Sequence, residues 1–160
     1  MNLASLRAVA LDVDGVLTDG GVWWGPDGAE WKRFHFADIM GVSLAGKAGL
    51  VITLISGENS PLVDRFAAKM GLGAVAKGCK DKAAALHAFA DARGFALAEM
   101  GFMGDDINDL PAMALAGWSA APSSAHDSVK ARVDFVTQRT GGNGAVREAL
   151  DHLLAGRAVP

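Results

Sequence analysis

The sequence predicts an α/β fold in one domain, with a parallel β-sheet, helices on both faces and a protruding β-hairpin. Two observations carry the sheet. Short apolar runs alternate along the chain with helical patterns, which is the signature of strands joined by crossover helices. Polar residues then cluster where the apolar runs end, and in an open α/β sheet those carboxyl ends are where ligands bind. A third observation carries the hairpin: turn chemistry at Gly25-Pro26-Asp27-Gly28 between two β-prone runs.

The elements follow in order. Strands are expected over residues 8–13, 50–55, 74–76, 98–103, 118–120 and 133–136. Helices are expected over residues 39–47, 61–70, 82–93, 110–116, 124–130 and 145–154. Residues 21–36 break the alternation. Pro at the second position and Gly at the fourth fit a type I turn, and the hairpin they close holds Trp23, Trp24 and Trp31. Residues 155–160 read as a loose tail. The first seven residues lack the apolar segment of a signal peptide and lead straight into the first strand.

Composition narrows the function. At 160 residues the chain, 1–160, is most simply one domain. A formal net charge of −3 with no basic block argues against a nucleic-acid partner. No apolar run approaches a membrane span. The single Cys79 excludes an internal disulfide framework and fits a reducing cytoplasm.

The strand exits carry the chemistry. The first delivers Asp12 and Asp14, two acids one residue apart. The second delivers Ser56 and Gly57. The fourth delivers Asp105 and Asp106, with Asn108 and Asp109 close behind, and Lys80 and Lys82 stand at a helix start. Alone, each is weak, because Asp-x-Asp is more often a solvated turn and Ser-Gly more often a cap. Together, acids from two strands, Asp12 and Asp105, can share a hard cation, and an all-oxygen donor set suits Mg²⁺. The cation offsets the repulsion that adjacent carboxylates create. Ser56 and a lysine suit a phosphoryl group. A carboxylate can attack phosphorus to form an aspartyl-phosphate. A second carboxylate can protonate the leaving oxygen and then activate water.

In this order, "DVDGVLTDG", "ISG", the lysine of "KDKAAAL" and "GDDINDLPAM" resemble the four motifs of the haloacid dehalogenase-like phosphatase superfamily, over residues 12–109. The resemblance implies a Rossmann-like three-layer α/β/α sandwich. It implies Asp12 as nucleophile and Asp14 as general acid/base. Asp12, the backbone carbonyl of Asp14 and Asp105 would be the Mg²⁺ ligands, with Ser56, Gly57 and Lys82 binding the phosphoryl group. Lys80 is the alternative to Lys82. Asp106 and Asp109 would support the site from behind, or approach the metal through water.

The spacing of the motifs leaves no room for a cap domain, which resembles a capless branch. The hairpin, "GDDINDLP" and "TGGNGAVREAL" are similar to the 3-deoxy-manno-octulosonate 8-phosphate phosphatases and their sialic-acid-pathway relatives. That implies a small-molecule sugar phosphate as substrate, a cytoplasmic location and a homotetramer built through the hairpins. The aromatic hairpin independently favours assembly, having more apolar surface than a two-stranded ribbon can bury. Glu58 stands where octulosonate phosphatases commonly carry arginine. Glu58 with Lys69 resembles the 2-keto-3-deoxynonulosonate 9-phosphate phosphatases, but Phe66, beside Arg65, departs from that pattern. Arg139 and Arg147 are candidates for the substrate carboxylate, across a subunit boundary if the tetramer forms. The alternative is a catalytically weak oligomerisation or regulatory domain of this superfamily, associated with an acylneuraminate cytidylyltransferase.

Overall fold

The structure, a computed structural model, describes residues 3–157. Its main sheet has six strands, all parallel, in the order β5-β4-β1-β6-β7-β8. These are β1 (Ala8–Leu11), β4 (Val51–Ile55), β5 (Val75–Ala76), β6 (Met100–Met103), β7 (Trp118–Ala121) and β8 (Phe135–Val136). A separate antiparallel ribbon pairs β2 (Trp23–Trp24) with β3 (Glu30–Trp31). The helices are α1 (Phe36–Lys47), α2 (Pro61–Met70), α3 (Lys82–Arg93), α4 (Leu110–Leu115), α5 (Asp127–Lys130) and α6 (Ala145–Gly156).

The period of two along β1 sorts the core into two layers. Val9 and Leu11 face α1, α2 and α6 through Val42, Phe66 and Leu150. Ala8 and Ala10 face α3, α4 and α5 through Leu86, Met113 and Val129. The predicted α/β/α sandwich is therefore the observed one. β1 lies centrally, hydrogen-bonded to β4 and β6, so its carboxyl end opens in the middle of the sheet.

Local chemistry sets the helix ends. Ser60 caps α2 by accepting from Leu62 N, Pro61 takes the first helical position, and Gly71 ends the helix in the left-handed conformation. Asp81 caps α3 by accepting from Ala84 N. α6 has no capping side chain of its own; Asp38 of α1 accepts from Gly144 N and Arg147 N at its first turn.

Several boundaries differ from expectation. α1 begins at Phe36 because His35 Nδ1 caps it, accepting from Ala37 N. Residues 97–99 form a 3₁₀ turn before β6. α5 shrinks to Asp127–Lys130 behind the His126 cap. The strands expected over residues 74–76 and 133–136 keep two residues each, because they are the sheet's edges and pair on one side only. α6 continues to Gly156, so the expected tail is helical in its first part, while residues 158–160 lie outside the described residues.

The hairpin is shorter than expected over 21–36. Gly28 N donates to Gly25 O, closing the predicted turn, and Asp27 Oδ1 accepts from Ala29 N. Phe34 leaves the ribbon and stacks on Phe66 of α2, with ring centroids 4.8 Å apart. Trp23, Trp24 and Trp31 stay 70%, 75% and 53% exposed in the single chain. Between β4 and β5 lies only α2, too little for a cap. Among the described residues no helix is long and apolar enough to cross a membrane.

Candidate active site

β1 runs out at Leu11 and the next residue, Asp12, is held by its backbone: Asp12 N donates to Met103 O of β6. Its side chain is buried. Oδ1 accepts from Val13 N at 2.7 Å and Oδ2 pairs with Lys82 Nζ at 2.9 Å. Lys82 also donates to Asp109 Oδ1 at 2.6 Å. The ammonium is thus shared by acids from the exit of β1 and the 3₁₀ turn after β6. Lys80, the alternative lysine, is exposed. Lys80 precedes the Asp81 cap and stays in solvent, whereas Lys82 is the first residue of α3 and is buried.

Asp12, Asp105 and Asp109 place a carboxylate oxygen each within 4.8 Å of one another. Burial, then the Asp109 charge, pushes Asp12 up to about 7. Burial, then the Asp12 and Asp109 charges, pushes Asp105 up to about 7. For Lys82, burial works downward, but the Asp12 and Asp109 charges outweigh it and raise the group. Asp109 is already satisfied: Oδ1 holds Lys82, and Oδ2 accepts from Asp105 N and Asp106 N. Its work is to fix the lysine and the β6 exit loop. Asp105, whose carboxylate accepts no hydrogen bond among the described residues, and Asp12, each of whose oxygens holds a single partner, have oxygen to offer. A pair of oxygen donors under mutual repulsion fits a hard divalent cation.

Glycine makes room for this. Gly15 adopts φ +84°, and a Cβ there would fall inside the Asp105 carboxylate. A Cβ on Gly141 would fall on Gly15 O, so the "TGGNG" loop lies directly against the loop that follows β1. Gly142 N donates to Val16 O, and buried Thr18 Oγ1 accepts from Gly15 N and Gly20 N. Those contacts hold the turn carrying Asp14.

Asp14 is tied to the hairpin. Lys32, immediately after β3, places Nζ 2.8 Å from Asp14 Oδ1 and 3.6 Å from Glu30 Oε1. Ser56, at the exit of β4, is fully buried, and its Oγ accepts from Glu58 N. Its hydroxyl proton and the neighbouring Gly57 N–H are the donors at this strand end. A polar cleft of about 470 Å³ opens between the hairpin and the start of α2, lined by Glu30, Trp31, Glu58, Asn59, Ser60 and Arg65 among others.

Other candidates lie elsewhere. Lys69 sits in the last turn of α2, nine residues beyond the Ser60 cap and about 13 Å along the axis from it; its ammonium lies over the Phe36 ring. Arg139 and Arg147 line a separate cleft of about 300 Å³ with Glu148 and Asp151. Arg147 Nε is 2.7 Å from Asp151. Among the described residues none of the three makes a hydrogen bond or ion pair with Asp12, Asp105 or Asp109, although Lys69 lines a cleft of about 260 Å³ with Trp31 and Lys32. Asp106 is exposed and accepts from Ile107 N.

Sequence reasoning missed Lys32, Glu30 and the structural acid Asp38. A cation following the aromatic run of the hairpin, with Glu30 two residues before it, was the available signal for Lys32. Nothing local distinguishes Asp38 from a first-turn acid of α1.

Residues 50–150 match the haloacid dehalogenase-like hydrolase family. The chain belongs to that family. It is 35% identical over 150 residues to the 3-deoxy-D-manno-octulosonate 8-phosphate phosphatase of Escherichia coli K12, covering 94% of this chain and 80% of that one. The Haemophilus influenzae phosphatase of the same name is 36% identical over 152 residues, covering 95% and 84%. Among solved haloacid dehalogenase-like structures, the Moraxella catarrhalis octulosonate 8-phosphate phosphatase, complexed with magnesium, phosphate and 3-deoxy-D-manno-octulosonate (KDO), superposes with a TM-score of 0.95. It is 33% identical, over 98% of this chain and 90% of that one. The cobalt-bound Haemophilus influenzae enzyme gives 0.94 at 34% identity, over 98% and 92%.

Proposed function

We propose that this protein is a Mg²⁺-dependent phosphatase that hydrolyses 3-deoxy-D-manno-octulosonate 8-phosphate through an aspartyl-phosphate. The observation that carries it is the Asp12–Lys82–Asp109 cluster at the centre of the sheet, with Asp105 beside it and Asp14 two residues along the chain from Asp12. The names of the relatives supply the substrate class.

Each residue has a step. Asp12 attacks phosphorus as the ester P–O bond breaks, and Asp14 gives its proton to the leaving oxygen. Asp14 then takes a proton from water as that water attacks the aspartyl-phosphate, which frees phosphate and returns Asp12. Lys82 uses two of its three N–H donors on Asp12 and Asp109, keeping one for a phosphoryl oxygen. The Ser56 hydroxyl and Gly57 N–H donate to the others. Asp12, Asp105 and the Asp14 carbonyl would hold Mg²⁺, which supplies positive charge against the transferring group.

The cleft beside Glu58 suits a hydroxyl-rich chain, since Glu30, Glu58, Asn59 and Ser60 all offer acceptors. Glu58 also favours a second reading, the 2-keto-3-deoxynonulosonate 9-phosphate, whose longer tail carries one more hydroxyl-bearing carbon. The exposed tryptophans support assembly as a homotetramer through the hairpin, which would bring a neighbour's surface over the open site. A cytoplasmic location goes with the free Cys79.

The test compares kcat/KM with Mg²⁺ across a panel of 2-keto-3-deoxy sugar acid phosphates and generic esters. The octulosonate 8-phosphate should lead. Equal values on every ester would overturn the substrate, and no phosphate release from any would favour the regulatory-domain alternative.

A further inference from the structure

We infer that Lys32 is a positioning residue for Asp14, so that the hairpin sets the orientation of the group that moves the proton. This rests on the phosphatase reading above.

A carboxylate turns about its terminal torsion in broad, roughly two-fold wells. Proton transfer needs one oxygen within about 2.6–3.2 Å of the atom it serves. Something must therefore choose between the two oxygens of Asp14. Lys32 takes Oδ1 at 2.8 Å. Oδ2 is buried and has no hydrogen-bond partner among the described residues. One oxygen is anchored and the other is left unmatched inside the site, as a proton carrier requires.

The anchor is costly to build, which argues against chance. Lysine's side chain is only 6% exposed here, so a flexible, strongly hydrated group has been both ordered and desolvated. It is held from behind. Glu30 lies 3.6 Å from the same ammonium. Glu30 in turn accepts from Ser60 Oγ at 3.2 Å and from Trp24 Nε1 at 3.3 Å. The connection runs from an exposed hairpin tryptophan, through Glu30 and Lys32, to Asp14. Ser60 joins it to the α2 cap. Both strands of the ribbon thereby contribute to the aim of one carboxylate.

The consequence is selective. An alkyl phosphate has a poor leaving group and needs the proton. A dinitrophenyl phosphate has a good one and barely does. Loss of Asp14's orientation should slow the first and spare the second in the phosphorylation step.

The experiment uses the full chain with Mg²⁺, carrying Lys32→Met, Lys32→Arg or no change. Glycerol phosphate is followed in single turnover and 2,4-dinitrophenyl phosphate through its burst of dinitrophenolate. Lys32→Met should cut the glycerol phosphate rate by about 10²-fold, within the range of lost general acid/base catalysis. It should change the dinitrophenolate burst by less than about threefold. Lys32→Arg, which keeps the charge, should recover most of the loss. Sedimentation on the same samples should match wild type. If Lys32→Met does not fold, Lys32→Gln takes its place. Equal losses on both esters, or no loss on either, would overturn the inference. A wild type active on these esters yet inactive on octulosonate 8-phosphate removes the substrate and leaves Lys32's role standing; a wild type inactive on all esters removes both.

Discussion

Lys82 and Asp109 meet at 2.6 Å with side-chain exposures of 3% and 0%, and the same ammonium reaches Asp12 at 2.9 Å. One cation is therefore shared by two buried acids, one from the exit of β1 and one from the 3₁₀ turn after β6. Removing it strands both. Lys82→Met should lower stability by about 3–5 kcal/mol, the usual cost of breaking a buried pair, whereas exposed Lys80→Met should stay within about 0.5 kcal/mol of wild type. Urea unfolding in Mg²⁺-free buffer checks both. Similar midpoints for the two variants would refute the buried-pair account.

Asp12→Asn should abolish phosphate release while keeping the fold, because the amide is nearly isosteric but a poor nucleophile. Asp14→Asn should slow alkyl phosphate hydrolysis by about 10²–10⁴-fold. Phosphate assays beside circular dichroism test these. Substantial turnover by a verified Asp12→Asn protein would rule out the covalent route.

Mg²⁺ should stabilise the protein more at pH 8 than at pH 5.5. Burial and neighbouring acids raise Asp12 and Asp105 to about 7, against about 3.9 for an unfolded Asp. Between those values the native state binds more protons than the unfolded one, so this contribution is present below about pH 4 and lost as pH rises to about 7. A cation binds the deprotonated pair and restores it. Thermal melts with and without Mg²⁺ should show the larger rise in Tm at pH 8, and Asp105→Asn should remove most of that difference. EDTA should abolish activity reversibly.

Gly15→Ala should weaken Mg²⁺ binding and turnover with the core still folded. Its Cβ would occupy the Asp105 carboxylate, and φ +84° disfavours any side chain. Calorimetric titration with Mg²⁺ reads the loss; wild-type affinity would contradict the close approach.

Changing Trp23, Trp24 and Trp31 to serine should shift sedimentation to smaller species. Activity on a sugar phosphate should fall more than on an aryl phosphate if a neighbour completes the sugar site. A wild-type monomer with full sugar phosphate activity would defeat the assembly.

The sequence by itself determined the α/β sandwich and the polar strand exits. A strand's period of two and a helix's of 3.6 are local properties, and so are caps such as Ser60-Pro61 and the turn at Gly25–Gly28. Asp12 and Ser56 were legible because each directly follows an apolar run, and Asp14 and Asp105 because each lies within two residues of a strand exit marked in that way. The edges were less so: two-residue strands such as Val75–Ala76 owe their pairing to β4, not to their own pattern. Only the tertiary structure buried Lys82 against Asp12 while leaving Lys80 exposed, sent Asp38 to the start of α6 and laid Gly141 on Gly15 O. It alone joined Lys32 to Asp14. These contacts link segments far apart in the chain, and packing decides which charged groups lose their water and must find one another.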